Sequence, residues 1–374
     1  MATTRKGVWD LQEVRDQILN NEWELQFELW NWGGNSYGQL GQNNTIPYSS
    51  PIQIPGNTWS SISAGDYHSL ATKTDGTLWA WGWSVDGALG QNNTTQYSSP
   101  VQIPGNTWSS IATGYQHSSA TKTDGTLWAW GQNFYGELAQ SNRTPYSSPV
   151  QIPGNTWSSI SSSGYHSLAI KTDNTFWTWG FNSTGQLGQS NTTPYSSPVQ
   201  IPGNTWSSIS GGNAHSLATK TDGTLWVWGY NHVGQLGQNN TTQYSSPVQI
   251  PGNTWSSISA GDYHLFSTKT DGTLWSWGWN AFGQLGQNNT TQYSSPVQIP
   301  GNTWSSIATV ATGYSHSFST KTDGTFWAWG GNNVGQLGQN STTQYSSPVQ
   351  IPGNTWSSIS GGRAHSLALK SLVN

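Results

Sequence analysis

Seven histidines, His68, His117, His166, His215, His264, His316 and His365, occupy one position of a repeated sequence. A ring of imidazoles could bind metal, but ligands must stand about 2 Å from a single ion, and repeats set around a ring hold equivalent positions apart. The expectation is therefore a histidine hydrogen-bonded to backbone in each repeat, with no metal and no cofactor. Asp66 with His68, and Asp262 with His264, make part of a nucleophile-activating triad, yet no serine is distinguished among the many. Glycoside hydrolysis would need two carboxylates to converge, and Asp66, Asp86, Glu137 and Asp262 fall in different repeats. The chain is read as a non-enzyme.

Composition narrows the remaining classes. The 374 residues carry no cysteine, which removes disulfides and thiolate chemistry. Twelve Lys and Arg against 16 Asp and Glu give no basic field, so no nucleic-acid partner is expected. No apolar run approaches the roughly 18 residues of a bilayer helix, so no membrane insertion is expected. The start, MATTRKGVWD, does not read as a secretory signal. Twenty-five tryptophans supply the buried area that a chain with 7% charged residues needs to fold.

These residues are positioned by the repeat itself. Leu/Phe-Trp-x-Trp-Gly recurs with its second tryptophan at Trp32, Trp81, Trp130, Trp179, Trp228, Trp277 and Trp329, at steps of 49 residues five times and then 52. The three extra residues lie within 308–312. A period near 50 built of short strands indicates propeller blades. One unit divides into strand A at 59–63, B at 68–73, C at 78–82 and D at 100–103, with Thr74-Asp75-Gly76 as a tight B–C turn and Pro104-Gly105-Asn106-Thr107 leading to the next A. Trp79 and Trp81, two apart on C, share a face that can pack on the neighbouring blade. The chain starts with a C and D pair (29–33, 51–54) and ends with an A and B pair (356–370). The expected fold is an all-β, seven-bladed β-propeller over residues 24–374, closed by N- and C-terminal strands without an open edge.

The pattern Gly-x-x-His-Ser-Leu-Ala-x-Lys-Thr-Asp-Gly-Thr-Leu-Trp-Ala-Trp-Gly-x-Asn-x-x-Gly-Gln-Leu-Gly, present seven times with small changes, resembles the RCC1 (regulator of chromosome condensation) repeat. The resemblance spans residues 24–374. It implies the propeller fold and leaves function open, because the family includes a nucleotide exchange factor for a small GTPase that binds chromatin and also a beta-lactamase inhibitor.

Residues 1–23 are a separate piece. Asp10 with Glu13 marks a helix start, and Leu11, Val14, Ile18 and Leu19 line one face. So short a helix must dock, either as a cap on the propeller or as an attachment peptide through Val8, Trp9, Leu11, Val14 and Ile18. The stretch from Arg5 to Arg15 resembles N-termini of structural proteins of marine bacteriophages, which implies a virion location and other virion proteins as partners.

Variation among the seven copies concentrates in two patches. One follows Trp-Gly and holds Trp83, Phe134, Tyr135, Phe181, Tyr230, Trp279 and Phe282; the other precedes the histidine and holds Tyr67, Tyr115 and Tyr263. Antiparallel strand order puts both on one face of the disc, opposite the invariant turns. Loops on a rigid scaffold commonly carry binding, and aromatic residues supply contact area at low entropic cost. The leading expectation is a phage structural protein that adheres to a host surface glycan or protein through this face. Two others stay open: a regulatory or inhibitory propeller with one protein partner, and a decoration or fibre component packed within its own assembly.

Overall fold

In the computed structural model the described residues are 26–309, 315–353 and 355–372. The expected helix near the N-terminus, the attachment residues Val8, Trp9, Leu11, Val14 and Ile18, and most of the three-residue insertion lie outside them. The described residues form 28 strands, β1–β28, in seven four-stranded antiparallel sheets.

The first blade in chain order shows how the repeat folds. Strand A is β3 (Trp59–Ala64), B is β4 (His68–Lys73), C is β5 (Leu78–Gly82) and D is β6 (Tyr97–Ile103). The B and C limits match the reading from sequence. Strand D begins three residues earlier, because Tyr97 pairs with Gly82 past an irregularity in the ladder. Pro100 is tolerated there since D is the outermost strand and needs no donor on its free side. At the B–C turn Asp75 Oδ1 accepts hydrogen bonds from Thr77 N at 3.0 Å and Thr77 Oγ1 at 2.7 Å. Gly76 turns with φ of 75°, a conformation that favours glycine.

Closure occurs as the sequence indicates. β1 (Phe27–Gly33) and β2 (Tyr48–Ile54) complete a sheet with β27 (Trp356–Gly361) and β28 (His365–Ser371), in the order β2-β1-β28-β27. Seven residue pairs join β1 to β28, from Phe27 with Ser371 to Gly33 with His365.

Each blade is too thin to bury its own apolar residues, so the core is a series of seams between blades. At one seam Leu70, Leu78 and Ala80 of one blade meet Trp108, Ala120 and Trp130 of the next. The second tryptophan of strand C is fully buried and also supplies a hydrogen bond. Trp81 Nε1 donates to Gln39 O in the previous blade at 2.8 Å, and Trp130, Trp179, Trp228, Trp277, Trp329 and Trp32 repeat that bond.

Candidate functional site

The long C–D loops and the A–B loops meet at the seams, and this meeting sorts the ten candidate residues. Nine of them fall into three clusters. Tyr67 and Trp83 of one blade pack with Tyr37 of the blade before it, at ring separations of 5.0 to 5.6 Å. Tyr115 and Tyr135 of one blade meet Tyr165 and Phe181 of the next, the closest pair being Tyr135 and Phe181 at 4.6 Å. Tyr230, stacked on His232, meets Tyr263, which meets Trp279, which meets Phe282 at 5.4 Å. All nine are half-buried. Phe134 stands apart from the clusters and is 51% exposed, with Val85 nearby in kind at 55%. The aromatic face is thus built mainly of rings packed edge to face on one another.

The A–B loops also close over the mouth of the central channel. Tyr115 OH donates to Asp262 Oδ2 at 3.1 Å from three blades away, and Asn213 Nδ2 donates to Tyr263 OH at 2.9 Å. Arg363 lies 3.6 Å from Asp66 and over the Tyr67 ring at 5.7 Å. Asp66 and Asp262 are each 4% exposed, and Oδ1 of each has no hydrogen-bond partner among the described residues. Burial pushes the Asp66 carboxyl up to about 8 against the pull of Arg363. Burial also pushes Asp262 well above the usual range, and the charge of Asp66 adds to that. Asp66 and Asp262, from separate blades, are thus close enough for one charge to act on the other, while each keeps its own partner, Arg363 and Tyr115. Ring closure brings A–B loops of distant blades within reach of one another, as the bond from Tyr115 to Asp262 shows.

Triad chemistry is not assembled. Asp66 pairs with Arg363, Asp262 with Tyr115, and His68 with a serine of the next blade. The histidines themselves need a correction, because their partners are side chains and not backbone. His68 Nε2 lies 2.9 Å from Ser118 Oγ, and the same contact links His117 to Ser167, His166 to Ser216, His264 to Ser317, His316 to Ser366 and His365 to Ser69. Each of these serines donates to a backbone carbonyl, as Ser118 Oγ does to Ala88 O, so the imidazole Nε2–H must donate to the serine. His215 has no such partner because Leu265 replaces the serine. Burial lowers all seven rings to about 3 or 4, which keeps them neutral. No group of three or more metal-ligating residues occurs among the described residues.

Glu137 stands where most repeats have glutamine and keeps that residue's bond, accepting from Tyr135 N at 2.8 Å as Gln39 accepts from Tyr37 N at 2.9 Å. Burial raises it to about 7. The repeated strand-B lysines each cap two indoles: Lys73 Nζ is 4.9 Å from the Trp59 ring and 4.5 Å from the Trp79 ring.

The fold is that of a seven-bladed propeller whose blades interlock through tryptophan and histidine side chains. Residues 25–308 match the RCC1-like domain, and residues 307–336 and 323–369 match the regulator of chromosome condensation (RCC1) repeat, so the chain belongs to the RCC1-like domain family. Prp20p from Saccharomyces cerevisiae is similar at 21% identity and TM-score 0.83, over 92% of each chain, and its structure was described with its binding to Gsp1p and histones. Yeast RCC1 (Prp20), solved with Kap60 bound, is similar at 20% identity and TM-score 0.83, over 100% of this chain and 95% of that one. Human WBSCR16 is similar at 20% identity and TM-score 0.82, over 93% and 100%. Comparison with curated proteins finds no match.

Proposed function

We propose that this chain is a protein-binding propeller that receives a protein partner on the channel-mouth face. One observation carries the reading. Where the blades vary in their A–B and C–D loops, nine aromatic residues pack into three clusters, and buried carboxyls, Asp66 and Asp262, lie on the same A–B loops. Half-buried aromatic rings held by neighbours are the type of residue that dominates interface energies. The protein binding described for yeast Prp20p is in keeping with this reading.

Affinity capture with the intact chain, followed by cross-linking, tests it. One stoichiometric protein is expected, with cross-links to the Trp83 and Trp279 loops, and Trp83→Ala and Trp279→Ala are each expected to cost more than roughly 1–2 kcal/mol of binding. Capture unchanged in both variants would reject the face. A second reading, attachment to a phage particle with adhesion to the host, is favoured by the Arg5 to Arg15 stretch. Mass spectrometry of purified particles decides between the two, since a soluble regulator is absent from them.

A further inference from the structure

The opposite end of each seam holds a feature that the protein-binding reading does not use. Where the invariant turns lie, the strand-B lysine, two tryptophans and the descending C–D loop surround a cavity. Five such cavities, of about 260 to 370 Å³, have the same lining. In one of them Gln42 and Asn43 of one blade face Lys73, Trp79 and Ser99 of the next.

The polar groups there are held in place and only partly used. Ser99 Oγ donates to Asn43 Oδ1 at 3.3 Å, leaving Nδ2 with no protein acceptor among the described residues. Gln42 Nε2 donates to Gln53 O at 3.2 Å, leaving Oε1 as an open acceptor. The Lys73 ammonium rests on indole rings, and no carboxylate lies within ion-pair distance of it among the described residues. The same serine-to-asparagine bond recurs at Asn92, Asn239, Asn288 and Asn340. The other two seams carry Ser141 and Ser190, which bond Ser197 and Ser246 instead.

We propose that these five seams bind acidic sugar residues, so that the disc engages an acidic polysaccharide at several points at once. The ammonium matches a carboxylate, the indoles beneath it give the cavity an apolar wall for the C–H groups of a pyranose, and the amide donor and acceptor match its hydroxyls. The volume sits at the lower end of the roughly 300–1,000 Å³ of small-molecule sites, which suits one sugar ring and not an extended chain. Asp75 in the adjoining turn offsets the lysine, so the field at this end is weak and recognition rests on contact. Several weak sites on one rigid disc gain by avidity, by about 10²–10⁴ over a single site when the polymer spans them.

The test compares polygalacturonate with neutral dextran and with polyaspartate, a polyanion without sugar rings, on the intact protein by surface plasmon resonance. Binding to polygalacturonate alone is expected, with competition by free galacturonate. The triple variant Lys73→Met, Lys122→Met, Lys269→Met keeps the apolar stems over the indoles, and it is expected to lose at least about tenfold in apparent affinity as avidity falls. Equal binding of polyaspartate, no binding of polygalacturonate, or full binding by the triple variant overturns the proposal. Should that variant fail to fold, titration of tryptophan-labelled wild-type protein with galacturonate replaces it. Shifts of the strand-C indoles such as Trp79 support the sites, and unmoved indoles overturn them.

Discussion

Glu137 shows how a single residue can read as chemistry and act as structure. Its charge and its departure from the repeat suggest an acid catalyst, but it occupies a glutamine's place and makes the glutamine's bond to backbone. Burial holds it at about 7 against an ordinary 4.5, so the folded state prefers the protonated form. Its favourable contribution is complete below pH 4.5 and is lost as pH rises through about 7. Glu137→Gln is therefore expected to raise stability by roughly 1–3 kcal/mol at pH 8 and by little at pH 4.5, as urea midpoints at the two values will report. Equal gains at both would place the effect in packing and not in ionisation. Sequence alone marks this position as exceptional but cannot tell desolvation from catalysis, since both begin with an isolated acid. The lysines have the same limit, because cation–indole contact depends on a neighbouring strand that spacing does not reveal.

At the level of strands, the B and C limits were legible because a β-turn with Asp and Gly fixes both ends of a hairpin. Strand D was less so, since its extra residues pair past a bulge that alternation does not encode. The histidine at the head of strand B was legible as a structural, hydrogen-bonded group, while its partner was not, because Ser118 lies one blade away from His68. That inter-blade ring has a consequence in acid. Desolvation lowers all seven imidazoles to about 3 or 4 from 6.5, so the unfolded chain binds protons that the folded chain refuses. Stability is complete above pH 6.5 and falls below it by up to about 1.4 kcal/mol per pH unit for each histidine. Asp66, Asp262 and Glu137 act in the opposite sense, but they number three against seven. Urea midpoints are expected to drop steeply between pH 6.5 and 4.5, and a flat profile would show that the rings take up protons within the fold.

For the whole molecule, the repeat count and the unpaired strands at each end made the closed ring legible in the sequence. The bond from Tyr115 to Asp262 was not, because it depends on which loops come within reach once the ring has closed. Closure rests on the ladder between β1 and β28, and Leu372 N donates to Gln26 O at 3.1 Å just beyond it. Joining residues 372 and 26 through a two- or three-residue glycine bridge therefore asks little of the folded state. It removes chain entropy from the unfolded state, where a cross-link over a long loop is worth up to about 4–5 kcal/mol and commonly less. The cyclised form of residues 26–372 is expected to unfold at higher denaturant than its linear counterpart, with the gain largely in a slower unfolding rate, because the ends must part for the ring to open. If the ends did not meet in solution, so short a bridge would strain the sheet and the midpoint would fall, and the sign of the change separates a ring sealed within one blade from one left open there.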